Sequence, residues 1–88
     1  MVVQIDYVFE CQDGFRYVRN TFEEIKKIVD ENYKALQEIA SNGDSVNMVF
    51  DYSHKYFPSV RISACIGGVW KYYTLRTEVK EIGTRMQG

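Results

Sequence analysis

The feature that most constrains the fold of this chain is one helix with a clear start and stop, set between strand-like segments. Thr21 and Glu24 have the spacing of a capping box, in which each side chain satisfies the other residue's free backbone N–H. Asn42-Gly43 can supply the left-handed residue that ends a helix. Apolar residues recur between these signals at helical spacing: Phe22, Ile25, Ile28, Val29, Leu36, Ile39 and Ala40. The sequence therefore predicts one continuous helix from Thr21 to Asn42, of about 20 residues and about 30 Å.

A first hairpin is predicted before the helix. Residues 2–11 are rich in β-branched and aromatic side chains and are typical of a strand. Asp13-Gly14 follows them and is the strongest two-residue turn signal in the chain. With these two residues at the centre of the turn, Phe9 pairs with Val18. This register places Val18 on the core face of the sheet and Tyr17 on the opposite face.

Three further strands are predicted after the helix. Residues 45–52 and 59–66 alternate apolar and polar side chains, as half-buried strands do. Gly67-Gly68 then centres a second two-residue hairpin, which pairs Ile62 with Tyr73. Because this register brings the apolar residues of both strands to one face, the alternation independently supports it.

The predicted fold is α+β, with elements in the order ββαβββ and a single helix packed on one face of a mostly antiparallel five-stranded sheet. Residues 1–88 are expected to form a single domain. Placing strand three beside strand one gives the strand order 2-1-3-4-5. Residues 78–88 either extend the last strand as far as Ile82 or fray, and 83–88 is the candidate flexible tail.

One helix cannot cover the whole of such a sheet. A helix is about 10–12 Å wide with its side chains, whereas five strands span about 19 Å. The registers also place apolar, aromatic and arginine side chains on the face away from the helix: Val8, Phe15, Tyr17, Val49, Trp70 and Tyr72, with Arg19, Arg61 and Arg76. A contiguous patch of this kind is typical of an interaction site, although cross-strand aromatic pairs can also simply stiffen an exposed sheet.

The candidate partner-binding residues follow from this face. Trp70 and Tyr72 are the expected anchors, with Arg61 and Arg76 beside them and Tyr17 at the edge. Trp, Tyr and Arg are the residue types that dominate the energetics of protein interfaces. The same five side chains could instead form a platform that stacks the bases of a single-stranded nucleic acid.

No catalytic, metal or cofactor site is predicted. Ser53, His54 and Asp51 are too close in sequence to place a nucleophile, a base and its orienting acid correctly. Cys11, Cys65 and His54 lack the paired spacing of zinc ligands. The glycine turns lie between strands and not before a helix, so they cannot hold a phosphate at a helix N-terminus. We therefore expect no enzyme, no metal, no cofactor and no small-molecule substrate.

Composition bears on the compartment and the partner. Two cysteines 54 positions apart, an N-terminus without a basic segment and the lack of an apolar run of about 18 residues favour a cytoplasmic protein without a membrane partner. The net charge of −1 makes nucleic acid a less favoured partner than protein. A small domain with uncovered apolar surface gains most simply by pairing with its own copy, so a homodimer is expected, and a homodimeric structural protein is a further alternative function.

In size, charge and α+β organisation, the chain resembles small phage-encoded inhibitors of host machinery. The likeness is one of general style, since no motif carries it, and it implies a viral protein that inhibits a larger protein. The function predicted from the sequence is that of a small non-catalytic protein-binding module that acts through its aromatic and arginine-bearing sheet face.

Overall fold

The computed structural model describes residues 2–54 and 56–82 and has the predicted α+β architecture. One helix packs against a five-stranded antiparallel sheet, with elements in the order ββαβββ. The predicted tail, 83–88, lies outside the described residues. The elements are β1 (Val2–Cys11), β2 (Arg16–Arg19), α1 (Phe22–Ile39), β3 (Ser45–Asp51), β4 (Ser59–Ile66) and β5 (Val69–Ile82).

The strand order is β2-β1-β5-β4-β3, so the predicted order 2-1-3-4-5 is wrong. The final strand, β5, lies in the centre of the sheet and pairs with β1 along its whole length, from Val2 opposite Ile82 to Cys11 opposite Tyr73. β5 has 14 residues and β1 has 10, so pairing the two longest strands satisfies more backbone groups than pairing β1 with the seven-residue β3. As a result, β3 lies at an edge of the sheet.

The register of the first hairpin also differs from the prediction. The Cys11 carbonyl accepts from the Gly14 N–H (3.0 Å), and the Cys11 N–H donates to the Phe15 carbonyl (3.1 Å). The loop therefore has three residues, and Gly14, with φ of 114°, is the bulge residue that such a loop requires. Phe9 pairs with Tyr17 and not with Val18. This one-residue shift moves Tyr17 to the helix side of the sheet and Val18 to the opposite side.

The second hairpin has the predicted register. Gly67 and Gly68 have φ angles of 60° and 79°, as a two-residue turn with two left-handed residues requires. Ile62 pairs with Tyr73, and the pairing continues regularly from the turn to Val60 opposite Leu75. The sequence-based assignment of faces is therefore correct for β4 and for the first half of β5.

The helix begins where the capping box predicts. Thr21 is its N-cap, and its hydroxyl oxygen accepts from the Glu24 N–H (3.3 Å). The Glu24 carboxylate accepts from the Thr21 hydroxyl (2.8 Å). Ile25 and Val29 on the buried stripe of the helix are fully enclosed.

The helix ends earlier than predicted, at Ile39. Ala40 is its C-cap and already has an extended conformation, so Asn42-Gly43 does not terminate it. Gly43, with φ of 90°, belongs instead to a separate turn in which the Asp44 carboxylate accepts from the Ser41 N–H (2.8 Å). The Asp44 carboxylate thus stabilises the turn that follows the helix.

The core lies between the helix and the sheet face that bears Phe9, Ile62 and Tyr73. Its margins are open, as the width of one helix implies. Ile39 at the end of α1 is 62% exposed, and Phe50 on β3 is 54% exposed. The remaining buried side chains of the core are Tyr7, Cys11, Ile25, Val29, Val60, Ala64 and Leu75.

Candidate interaction surface on the outer sheet face

The sheet face away from the helix, called here the outer face, has two halves of different chemistry. The ionic half lies on β1, β2 and the second part of β5, and it consists of Asp6, Val8, Glu10, Arg16, Val18, Arg76, Glu78 and Lys80. The aromatic half lies on β3, β4 and the first part of β5, and it consists of Ser45, Asn47, Val49, Asp51, Ser59, Arg61, Ser63, Cys65, Trp70, Tyr72 and Thr74.

Two arginines and two glutamates form a network across the ionic half. Arg76 Nε lies 3.1 Å from Glu10, and its Nη1 donates to Glu78. Arg16 Nη2 lies 3.3 Å from Glu78, although the two residues are on β2 and β5 with β1 between them. The guanidinium groups thus connect three neighbouring strands. The Arg76 hydrogen bond, together with the nearby charges of Arg76 and Arg16, lowers the pKa of Glu78.

This network covers an apolar residue. Val8 is on the outer face, opposite Val18 on one side and Arg76 on the other, yet it is completely buried. The Arg16–Glu78 pair spans β1 at this level, so the long side chains of the network lie over Val8. The ionic half is therefore closed, in the sense that its charges are paired with one another and its side chains cover Val8.

The ion pairing continues towards the end of β1. The Asp6 carboxylate accepts from the Gln4 amide (2.7 Å) and lies 3.1 Å from the Lys80 ammonium group. Asp6 is only 4% exposed, and these two donors compensate for its low accessibility. The Gln4 hydrogen bond, followed by that of Lys80, lowers the Asp6 pKa.

The aromatic half exposes large rings. Trp70 and Tyr72 stack with centroids 6.0 Å apart and planes only 7° from parallel. They remain 48% and 43% exposed. Their cross-strand neighbours on β4 are the small residues Cys65 and Ser63. Because these neighbours are small, the two rings are accessible from the β4 side as well as from above the sheet.

A shallow groove lies beside the rings on the same face. It encloses about 370 Å³ and is lined by Val49, Ser59, Val60, Arg61, Thr74 and Leu75. Val49 is 72% exposed, the most exposed of the large apolar residues that the structure describes. Among the residues that the structure describes, Arg61 has no ion-pair partner, in contrast to Arg76. The groove therefore combines apolar surface with one cation available to a partner.

The structure brings together three of the five predicted site residues. Trp70, Tyr72 and Arg61 lie on the aromatic half. Arg76 is on the same face, but its guanidinium is engaged by Glu10 and Glu78. The placement of Tyr17 on this face is wrong because the first hairpin is shifted by one residue.

Tyr17 instead lies on the helix side of the sheet. Its ring contacts Phe15, with centroids 5.2 Å apart, and the Arg19 guanidinium lies 6.0 Å from its centroid. Phe15 in turn contacts the core rings of Phe9 and Tyr73. Tyr17 thus belongs to an aromatic cluster at the β2 margin of the core.

The residues considered for catalysis have other partners. The Ser53 hydroxyl donates to the Asp51 carboxylate (2.6 Å), and this contact lowers the Asp51 pKa. His54 is exposed, and its Nδ1 accepts from the Tyr56 N–H (3.3 Å) while its ring packs on Phe57. Ser53 therefore donates to a carboxylate and not to an imidazole, so these residues do not form a nucleophile–base pair.

The two cysteines are free and on opposite faces of the sheet. Burial, together with the Asp13 carboxylate that accepts from the thiol, raises the Cys11 pKa. This is the opposite of what activates a nucleophilic thiol. Among the described residues, no three histidine, cysteine or acidic side chains lie close enough to hold a metal ion.

Sequence reasoning missed the closed character of the ionic half. Val8 was expected on an exposed apolar patch, and Arg76 was expected beside the anchors as a contact for a partner. The available signal was the alternation of charge at Asp6, Glu10, Arg76 and Glu78. Its meaning depends on β1 and β5 being neighbours, which the predicted strand order did not contain.

Comparison with models of protein families, with curated proteins and with solved structures found no match to this chain. In residues 2–54 and 56–82, no helix combines the length and the apolar character needed to cross a membrane. A function for this chain is therefore inferred from its own residues.

Proposed function

We propose that this protein is a non-catalytic binding module that recognises another protein through the aromatic half of its outer face. The observation that carries this proposal is the exposed, parallel stack of Trp70 and Tyr72 beside an open groove. Stacking restrains both rings before a partner arrives, so less side-chain freedom is lost on binding. Such rigid, exposed aromatic anchors are typical of the residues that contribute most to an interface.

The chemistry of the groove indicates what the partner surface offers. Val49 supplies apolar area, and the Arg61 guanidinium, which has no ion pair within residues 2–54 and 56–82, favours a carboxylate on the partner. The ionic half bounds this surface, because its charges pair with one another and present no free cation. A partner with an apolar projection next to an acidic side chain fits these features.

We place this activity in the cytoplasm, where unbridged Cys11 and Cys65 are stable as thiols. The mode of action that we favour is occlusion, in which the small domain inhibits a larger protein by covering a functional surface. We also propose a viral origin, on the resemblance in size, charge and organisation to phage-encoded inhibitors.

The test is a pair of variants assayed for partner binding in extracts of the source cell. Trp70→Ala combined with Tyr72→Ala is expected to reduce capture of the partner at least tenfold and to leave the helical circular dichroism unchanged. Tyr17→Ala is the matched control, since it removes a ring that is 38% exposed on the opposite face. If Tyr17→Ala abolishes capture and the double variant does not, the proposal is wrong.

A single-stranded nucleic acid is the second candidate ligand, because two parallel exposed rings can also stack on bases. The pairing of Arg76 with Glu10 and Glu78 makes this candidate weaker, since phosphate attraction normally needs several free cations. Trp70 is the only tryptophan, so quenching of its fluorescence by an oligouridine reports binding directly. Quenching that disappears between low and physiological salt would favour the nucleic acid over a protein partner.

A further inference from the structure

The two edges of the sheet differ in how well they are protected from pairing with another strand. The β2 edge has only four residues, Arg16–Arg19, with an arginine at each end. The β3 edge has seven residues, of which Asp51 alone is charged, and they include neither lysine nor proline. Short length, charge, proline and bulges are the devices that protect an edge strand. β3 uses almost none of them, since its pairing with β4 is regular from Ser45 to Asp51.

Hydrogen bonds inside the sheet establish which backbone groups of β3 point outwards. The Gln12 N–H donates to the Tyr72 carbonyl (3.3 Å), so Tyr72 directs its backbone groups towards β1. In an antiparallel ladder, successive residues direct these groups alternately to the two neighbouring strands. Tyr73 therefore faces β4, and its cross-strand partner Ile62 faces β5.

The same alternation continues to the edge. Ser63 follows Ile62, so it faces β3 and its partner Asn47. Met48 follows Asn47 and must therefore direct its N–H and C=O away from the sheet, as must Val46 and Phe50. Within the part of the chain that the structure describes, these three residues thus present unpaired donors and acceptors along one edge.

The side chains of β3 connect this edge to the core. Phe50 is 54% exposed and contacts Tyr52, with centroids 4.8 Å apart. Tyr52 contacts Phe22 of α1, with centroids 5.2 Å apart. A series of ring contacts therefore connects Phe22 of the helix to Phe50 at the edge, and Phe50 remains half-exposed.

We propose that a second copy of this chain pairs with the β3 edge, antiparallel and about a two-fold axis at Met48. In this arrangement, Met48 lies opposite the partner's Met48, and Val46 lies opposite the partner's Phe50. The three outward-facing residues of each copy then exchange about six backbone hydrogen bonds. The two five-stranded sheets join into one of ten strands, with both helices on the same face.

The sequence of β3 is self-complementary in this register. Asp51 faces the partner's Ser45, and Val49 faces the partner's Asn47, so no like charges meet. The Phe50 ring covers the partner's Val46 and is covered in return. Registers centred on Asn47 or Val49 leave one outward-facing residue of each copy without its strand partner, so they form about four hydrogen bonds.

This pairing is independent of the proposed binding activity of Trp70 and Tyr72. Because the two-fold axis is perpendicular to the sheet, the outer faces of both copies lie on the same side. The dimer therefore presents two aromatic halves to one side. A failure of the pairing leaves the proposed function of each single copy untouched.

Solution mass by light scattering tests the pairing. The wild-type chain is expected to have twice its 10.3 kDa mass at tens of micromolar. Asn47→Glu with Val49→Glu places like charges opposite each other twice and is expected to weaken the dimer at least tenfold. Both positions are exposed on the outer face, neither directs backbone groups to the edge, and a carboxylate at position 49 faces Arg61 of the same copy, so the fold of each copy is retained.

Asn47→Lys with Val49→Glu is the matched control, because it changes the same two positions but places opposite charges together. This variant is expected to remain dimeric. Amide exchange supplies a second readout that needs no substitution: the Met48 N–H of the wild-type chain should exchange more slowly as protein concentration rises.

Three results would overturn the pairing. The first is a wild-type chain that is monomeric at these concentrations, whether or not it binds an unrelated extended peptide at β3. The second is a dimer that persists unchanged in the double-glutamate variant. The third is a Met48 N–H whose exchange rate is independent of protein concentration.

Discussion

The two halves of the outer face show how one sheet surface can be closed at one end and open at the other. In the ionic half, Arg76 is held by Glu10 and Glu78 and helps to bury Val8 completely. In the aromatic half, Arg61 has no ion pair among the described residues, and Val49 is 72% exposed. The same residue types, arginine and valine, thus serve folding in one half and remain available in the other. Exposure and pairing, rather than residue type, distinguish a structural surface from a candidate interface.

The largest expected difference between the halves concerns their valines. Val8→Asp places a carboxylate in a fully buried position beneath a network whose two arginines are already paired with glutamates, and it should destabilise the fold by about 4 kcal/mol or more, enough to unfold much of a small domain. Val49→Asp should change stability by only about 0.5 kcal/mol because that side chain is in solvent. Urea denaturation measures both. Equal small losses would mean that the ionic network does not cover Val8.

The arginines give the next largest contrast. Arg76→Ala removes both the hydrogen bonds to Glu10 and Glu78 and the aliphatic stem near Val8, so the urea midpoint should fall clearly. Arg61→Ala should leave the midpoint unchanged and weaken only partner binding. If the two variants lose the same stability, the distinction between a paired and an available arginine is wrong.

Acid should reveal the smallest difference. The folded-state pKa of Glu78 is lowered from its ordinary value of 4.5, first by the Arg76 hydrogen bond. Its contribution to stability is therefore complete above that value and is lost as pH falls through the lower folded-state pKa. Arg76→Gln should reduce the acid-dependent loss of the urea midpoint below about pH 4.5 relative to the wild type. A loss as steep as that of the wild type would show that the pair does not stabilise the fold.

Sequence reasoning succeeded where local signals left a single solution. Gly67-Gly68 allows one tight turn, and the apolar alternation on both flanking strands agrees with it. That register is why Trp70, Tyr72 and Arg61 were placed on the correct face. The fold class followed from the one well-bounded helix among strands.

Sequence reasoning failed where two local structures fitted the residues equally well. Asp13-Gly14 suits a two-residue turn and also the end of a three-residue loop with a glycine bulge. Strand β2 could not discriminate between them, because Tyr17 and Val18 can each be placed on an apolar face. The one-residue shift that resulted moved Tyr17 to the wrong side of the sheet.

The strand order needed information that no local pattern contains. Pairing of β1 with β5 joins the first and last strands, and only the greater length of these two strands indicated it. Because the ion pairs of Arg76 depend on that neighbour, its engagement with Glu10 could not be predicted either. The error in the site thus followed from the error in topology.

Photo-cross-linking from the two halves tests most directly whether the aromatic half is the binding surface. A photoreactive residue at Ser63 lies beside Tyr72, and one at Val18 lies in the ionic half on the same face. In source cells, the Ser63 probe should give an adduct larger than two copies of the chain, and Trp70→Ala with Tyr72→Ala should remove it. The Val18 probe should give none. An adduct from Val18 alone, or a Ser63 adduct that survives the loss of both rings, would contradict the assignment.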